Sequence, residues 1–264
     1  MLNIIVCAKV VMDPEAPVST FKIDPEAKRA LPGQGVPPVV NPYDENCLEA
    51  ALRIKEQQPC KITVISAGKN IPKAVVKKCL AVGADDLVVL EDDMFDDIDG
   101  YTTAYLLAEA IKKMGEYDLV LTGRMAADTN AGQVGPGVAE LLGIPGITVA
   151  QKIEVNAGTA RVERVLADGY EAVEVPLPCL ITVSHEIGEL RPANVKGLMA
   201  AQKQPFTTWQ ARDLEIDTAS VRQRKPFKLY IPEREVECEM VAGETPEEAG
   251  VNLALKLQQI RQFP

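Results

Sequence analysis

The residues best suited to chemistry in this sequence form one run: Gly123, Arg124, Met125, Ala126, Ala127, Asp128, Thr129, Asn130, Ala131, Gly132, Gln133, Val134, Gly135 and Pro136. An apolar segment precedes it, and Val134, Val138, Leu141 and Leu142 behind it share one helical side. Small residues keep side chains out of such a loop, so its backbone N–H groups can face a phosphate. The following helix N-terminus adds partial positive charge, and Arg124 offers a full one. Thr129, Asn130 and Gln133 supply neutral donors. The run lacks both the G-x-x-x-x-G-K-[ST] and the G-x-G-x-x-G spacing. On its own residues it reads equally as a phosphate cradle or as a small-residue turn.

Other reactive residue types carry less. The acidic run Glu91 to Asp99 does not follow the EF-hand spacing and reads as a solvated loop. His185 is the single histidine, which removes a histidine-rich metal site, and it suits a structural place at a strand end. The six cysteines, Cys7, Cys47, Cys60, Cys79, Cys179 and Cys238, form no C-x-x-C pair and read as reduced residues. Trp209, the single tryptophan, suits either a partner's groove or local packing. Glu163 and Arg164 lie on an expected strand, where cross-strand pairing or a subunit contact explains them better than catalysis.

The elements that position the loop alternate in type. A strand is expected over Asn3 to Val10, then a turn-rich segment from Met12 to Val40 with six prolines. Asn41-Pro42 opens a helix reaching about Glu56, with Asp44 and Glu45 suiting its dipole. Lys61 to Ala67 is the next strand. Ile71, Val75, Cys79 and Val82 mark a helix ended by Gly83, and Asp86 to Leu90 a third strand. Thr103 to Met114 then reads as a helix and Asp118 to Thr122 as a fourth strand.

This order implies an α/β fold, a mainly parallel sheet flanked by helices, with ligands beyond the strands' carboxyl ends. From about Ile147 the chain turns β-rich: Thr148 to Val155, Thr159 to Leu166, Tyr170 to Val175 and Cys179 to Val183, with Asp168-Gly169 as a hairpin turn. Beyond Glu189 the pattern becomes polar and irregular until a short helix from about Pro246 to Arg261. The expected organisation is an α/β domain over 1–189 and, over 190–264, an irregular stretch read as an extended C-terminal arm packing on a partner.

The bulk composition agrees with a globular chain of 264 residues, 47% hydrophobic and 25% charged. Its apolar runs are strand-sized, far below the roughly 20 residues of a membrane helix, so no membrane insertion is expected. A net charge of −10 and the lack of a basic stripe argue against nucleic acid as a partner. No secretory pattern is read at the N-terminus, and a cytoplasmic location is expected.

The loop resembles that of the electron-transfer flavoprotein beta-subunit family, T-G-[KR]-Q-A-I-D-x-D-x-x-Q-[VT]-G, through Thr122-Gly123-Arg124, Ala126, Asp128, Gln133, Val134 and Gly135. A second stretch, Val162-Glu163-Arg164, Asp168-Gly169, Glu171 and Leu177-Pro178-Cys179-Leu180-Ile181-Thr182, is similar to the family signature. The likeness extends to Ala8-Lys9 with Asp13, to Asn41-Pro42-Tyr43-Asp44-Glu45, and to Leu190 through Ala200.

The resemblance implies an adenine-nucleotide-hydrolase-like, Rossmann-type fold. It also implies a heterodimer with an alpha subunit, FAD shared with that subunit, and electron transfer from a flavin-dependent dehydrogenase to a downstream acceptor. The chain is then an electron-carrier subunit and not a stand-alone enzyme. Ordinary members hold AMP, here implicating Cys7, Ala8 and Lys9 at the first strand's end, the helix start Asn41, Pro42, Tyr43 and Asp44, Ala67 at the second strand's end, and Gly123 to Val134.

In electron-bifurcating members a second FAD takes that place and accepts hydride from NADH. Their loop usually reads D-G-D-T-x-Q-V-G-P, and this chain keeps Asp128 and Gln133 to Pro136 but has Thr129-Asn130-Ala131 between. Arg191 to Met199 is similar to the recognition loop that docks the dehydrogenase, implicating Arg191, Val195 and Met199. Val195 stands where leucine is usual, and the lost methylene weakens an apolar anchor by about 0.8 kcal/mol. Of other classes, an ATP-cleaving enzyme of the adenine-nucleotide-hydrolase type usually carries S-G-G-x-D-S after its first strand, where this chain reads Cys7-Ala8-Lys9-Val10. A nucleotide sensor would bind without an alpha partner.

Overall fold

A computed structural model describes residues 1–31, 33, 35–231 and 238–260. It divides into two compact units, Met1–Lys228 and Leu229–Pro264. The residues between 190 and 228, expected to open an arm, belong to the first.

The elements in chain order are β1 (Leu2–Cys7), β2 (Val10–Val11), β3 (Lys22–Asp24), β4 (Arg29–Leu31), β5 (Val39–Val40), α1 (Pro42–Gln57), β6 (Cys60–Gly68) and α2 (Lys73–Val82). There follow β7 (Asp86–Glu91), α3 (Gly100–Met114), β8 (Leu119–Gly123), α4 (Val134–Leu142), β9 (Gly146–Asn156), β10 (Thr159–Leu166), β11 (Gly169–Pro176) and β12 (Cys179–Val183). The chain continues through α5 (Val195–Lys203), β13 (Thr207–Trp209) and α6 (Pro246–Ile260).

Nine strands form one sheet in the order β11-β10-β9-β12-β8-β1-β6-β7-β13. From β9 to β13 every neighbouring pair is parallel, whereas β9, β10 and β11 run antiparallel. The mainly parallel sheet is therefore as expected from the alternation of strands and helices. β1 is flanked by β6 on one side and β8 on the other. The chain winds outward through β6 and β7, then returns through α3 to the opposite side of β1. That reversal is the switch point at which doubly wound sheets leave a crevice beyond their carboxyl ends.

Alternation along the buried strands sorts the core into two layers. Ile4, Ile62, Val64, Leu119, Leu121 and Ile181 face α1, α2 and α5 with Leu48 and Val76. Ile65, Val120 and Leu180 face α3 and α4 with Leu106, Ile111 and Val138. Removing each such side chain from water contributes about 1.5–3 kcal/mol, and this burial holds the helices on the sheet.

Helix boundaries follow local chemistry. Pro42 occupies the start of α1 with Asp44 and Glu45 in its first turn, and Lys55 lies in the last. Gly83 ends α2 at φ 130°, a conformation that glycine adopts without the cost of a side chain. In α3 the N-cap Asp99 accepts from the Thr102 N–H, starting the helix at Gly100, three residues earlier than expected.

Several short elements were not anticipated. The hairpin β3–β4 lies in the proline-rich segment, and α5 and β13 in the polar stretch after Glu189. β13 extends the sheet beside β7, with Trp209 opposite Leu90. Trp209 packs against the α3 layer with the Lys113 ammonium 5.4 Å from its ring centre, so local packing accounts for it. The acidic loop is drawn into ion pairs, Asp93 with Lys69, Asp96 with Arg29 and Asp97 with Arg224. His185 lies exposed in a turn just beyond β12. Five of the cysteines are buried and Cys238 is exposed.

Candidate nucleotide crevice

The crevice is assembled by the first turn of α1. Asn41 is buried, yet its side chain makes no cap bond to its own helix. Its amide reaches across to the glycine loop instead, donating from Nδ2 to the Met125 carbonyl at 3.0 Å and accepting the Ala127 N–H on Oδ1 at 3.0 Å. Asn41 also donates its backbone N–H to the Lys9 carbonyl at 2.8 Å.

One turn on, the buried Asp44 carboxylate performs the same service for two strand ends. Oδ2 accepts the Lys9 N–H at 2.7 Å and Oδ1 the Gly123 N–H at 3.0 Å. Burial pushes its carboxyl pKa up to about 7, opposed by those two donors, by Asn41 and by the Lys9 charge. Gly123 is required here, because a Cβ would lie 2.4 Å from Asp44 Oδ1 and 2.8 Å from Tyr43 Cβ.

Two charged groups flank this scaffold. The Lys9 ammonium lies 2.8 and 2.6 Å from the two carboxylate oxygens of Asp128. On the other side, the Arg124 guanidinium lies 5.3 Å from the centre of the Tyr43 ring and donates to Ser184 Oγ at 3.1 Å. The Arg124 N–H goes to the Val183 carbonyl, fastening the loop to β12 as well.

Beyond Ala127 the loop closes on itself. The N–H groups of Thr129 and Asn130 both point to the Ala126 carbonyl, at 3.2 and 2.8 Å. Asn130 and Gly132 take positive φ, 52° and 62°, values favourable to asparagine and glycine. Residues Asp128 to Gln133 are exposed, and α4 begins at Val134 with the unpaired N–H groups of a helix start. Gly135 is again required, since a Cβ would meet Thr122 Oγ1 at 2.4 Å.

The structure thus joins Lys9, Asn41, Tyr43, Asp44 and the residues from Gly123 to Asp128 into one bonded cluster. Thr129, Asn130, Ala131, Gly132 and Gln133 form its exposed tip, and Val134 opens the adjoining helix. Pro42 serves as the helix start. Ala8 donates its N–H to Ile65 and Ala67 is the penultimate residue of the neighbouring β6, neither bonding into the cluster. Cys7 reaches β1's end, but its side chain is buried in the α3 layer, where burial pushes the thiol pKa up.

Two features escaped the sequence reading. Ser184 takes Arg124, and nothing in the local pattern distinguishes it. The buried hydroxyls Ser66 Oγ and Thr122 Oγ1, near the carboxyl ends of β6 and β8, have no hydrogen-bond partner among the described residues. Unsatisfied buried hydroxyls beside a helix N-terminus fit a polar, phosphate-bearing group.

The second cluster gathers on the other end of α1. Arg191 grips the buried Glu49 carboxylate through Nε at 3.0 Å, Nη2 at 2.9 Å and its backbone N–H at 3.1 Å, and also pairs with Glu56. Burial alone raises the Glu49 pKa, but Arg191 and then Arg53 hold it below the usual carboxylate range. Arg191 is thus engaged within the chain. Val195 and Met199 differ: they project from α5 at 73% and 60% exposure, with Leu198 between them at 44%. α5 itself is seated tightly on α2, where a Cβ on Gly197 would lie 2.2 Å from the Ala81 carbonyl.

A parallel sheet reversing at β1, with the loops of β1 and β8 tied to one helix start, defines a doubly wound α/β protein with its ligand crevice at the switch point. The Electron transfer flavoprotein domain matches this chain over residues 33–214. The chain belongs to the electron transfer flavoprotein family and is similar to its beta subunits. It is 41% identical over 217 residues to the electron transfer flavoprotein subunit beta of Thermoanaerobacterium thermosaccharolyticum, covering 82% of this chain and 81% of that protein. It is 36% identical over 263 residues to the caffeyl-CoA reductase-Etf complex subunit CarD of Acetobacterium woodii, covering 98% of both. Protein FixA of Azorhizobium caulinodans is 33% identical over 226 residues, 83% of this chain and 79% of that protein. Among the described residues no helix is long and apolar enough to cross a membrane.

Proposed function

We propose that this chain is the beta subunit of a heterodimeric electron-transfer flavoprotein and holds an adenine nucleotide in the crevice at β1 and β8. Family membership supports the electron-transfer role and a partner alpha subunit. The observation that carries the nucleotide reading is the bonding of Asn41 and Asp44, which brings the ends of β1 and β8 together at the switch point. The first N–H groups of α4 receive the phosphate, and Gly123 and Gly135 let the loop and the start of α4 pack closely on α1 and the sheet. FAD shared with the alpha subunit supplies the redox chemistry. This chain contributes the fixed loops, and its α5 face meets a flavin-dependent dehydrogenase that passes electrons toward a downstream acceptor.

A second reading places the adenosine end of another FAD in the crevice, as in bifurcation. Its support is the end-to-end similarity to the A. woodii protein, named as a subunit of a reductase-Etf complex. Co-expression with an alpha-type partner, denaturation of the purified complex and chromatography of released ligands separate the readings. One FAD and one AMP per heterodimer is the expected result. Two FAD supports the second reading, and a colourless chain that turns over ATP overturns both.

A further inference from the structure

We propose that Asp128 is a built-in competitor for Lys9, so that a phosphate gains the Lys9 charge only by displacing this carboxylate. The inference rests on the nucleotide reading and concerns what sets selectivity in that same crevice.

Lys9 enters the crevice from a pinned backbone. Its N–H is held by Asp44 and its carbonyl by Asn41, while the side chain contributes to neither bond. The ammonium is therefore a charge on a fixed base at the carboxyl end of β1, on the switch-point crevice and across from the loop. Both oxygens of Asp128 lie on it, at 2.8 and 2.6 Å.

Asp128 stands at a change in how the loop is fastened. Up to Ala127 the loop is bonded to α1 and β12; the N–H groups of Thr129 and Asn130 return to Ala126. Among the described residues, the pair with Lys9 is the side-chain tie from positions 128–132 to the rest of the domain. A carboxylate with both oxygens on one ammonium presents much the same charge and two acceptors as a phosphate edge. The pair is partly exposed, 43% for the Lys9 side chain and 26% for Asp128, so an arriving anion can exchange with it. Such a pair is weak enough to open and still biases binding. The crevice then rewards ligands whose anionic charge exceeds that of one carboxylate and discriminates against the uncharged nucleoside.

The test compares AMP with adenosine by calorimetric titration into the nucleotide-stripped complex of the full chain with its alpha-type partner. The readout is the ratio of adenosine Kd to AMP Kd, in which adenosine serves as the internal control for folding. Asp128→Asn is expected to raise that ratio about two- to five-fold. Lys9→Met is expected to lower it, and to abolish the effect of Asp128→Asn when the two are combined. An unchanged ratio in Asp128→Asn overturns the proposal. So does an Asp128→Asn effect of the same size in the Lys9→Met background, which would mean simple repulsion without competition. If neither ligand binds the unsubstituted complex, the nucleotide reading falls and this inference with it; AMP binding indifferent to Asp128→Asn removes only the competition.

Discussion

Asp44 shows how much one side chain decides in this site. Its two oxygens satisfy two backbone N–H groups that burial would otherwise leave unpaired. Asp44→Asn keeps the shape but replaces one acceptor by a donor, and the expected loss is about 1–3 kcal/mol in denaturant unfolding. The pH dependence follows from the raised pKa. The unfolded carboxyl titrates near 3.8 and the folded one at about 7, so between these values the folded state binds more protons. This group's contribution therefore falls as pH rises from about 4 to about 7. Urea titrations across that range should show the parent losing stability relative to Asp44→Asn; a constant difference would count against the raised pKa. Asp44 was expected in the site from the family resemblance, but its task was not legible. The bond to Gly123 spans 79 residues, and no local pattern encodes a contact of that separation.

At the scale of elements, α5 separates a structural role from a docking role. Arg191→Ala leaves Glu49, buried in α1, with Arg53 as its remaining cation, and about 1–3 kcal/mol of stability should be lost in thermal unfolding. Here the sign of the pH effect is the reverse of that for Asp44. The Glu49 pKa is lowered, so its contribution is present above the ordinary glutamate range and disappears as pH falls through the folded value. Val195→Asp, on the exposed side of α5, should leave the melting temperature within experimental scatter. It should slow electron transfer from the dehydrogenase in a coupled assay, and an unchanged rate would remove α5 from the docking surface.

The parallel strands and α1 to α4 could be read from the sequence because apolar residues recur there at strand or helix period and Asn41-Pro42 and Gly83 punctuate them. α5 and β13 could not. The apolar residues of α5 at Val195, Leu198 and Met199 face outward, so its pattern does not mark a core-facing stripe. β13 is only three residues long and gains its identity from pairing with β7, more than a hundred residues earlier.

For the whole molecule, the division between Lys228 and Leu229 has a direct test. All nine strands of the main sheet precede it, and α6 has no buried residues. A chain ending at Lys228 should lose no more far-ultraviolet circular dichroism signal than the 15 residues of α6 supply and keep a melting transition close to the parent's. On the proposed role of the arm, it should lose co-purification with the alpha partner. Retained co-purification would place the subunit contact elsewhere, and loss of the transition would show that the first unit does not stand alone.

α1 has a consequence of a mechanical kind. Asn41 and Asp44 at its start carry the loops of β1 and β8, while Asn46, Glu49 and Arg53 carry the strap from Ile187 to Arg191 that leads into α5. At about 1.5 Å per residue these attachments span roughly 18 Å of a single rod. A displacement of that rod along its axis shifts both sets of attachments by the same amount and in the same sense. The crevice and the exposed face of α5 are thereby gauged from one datum, and neither can drift without carrying the other.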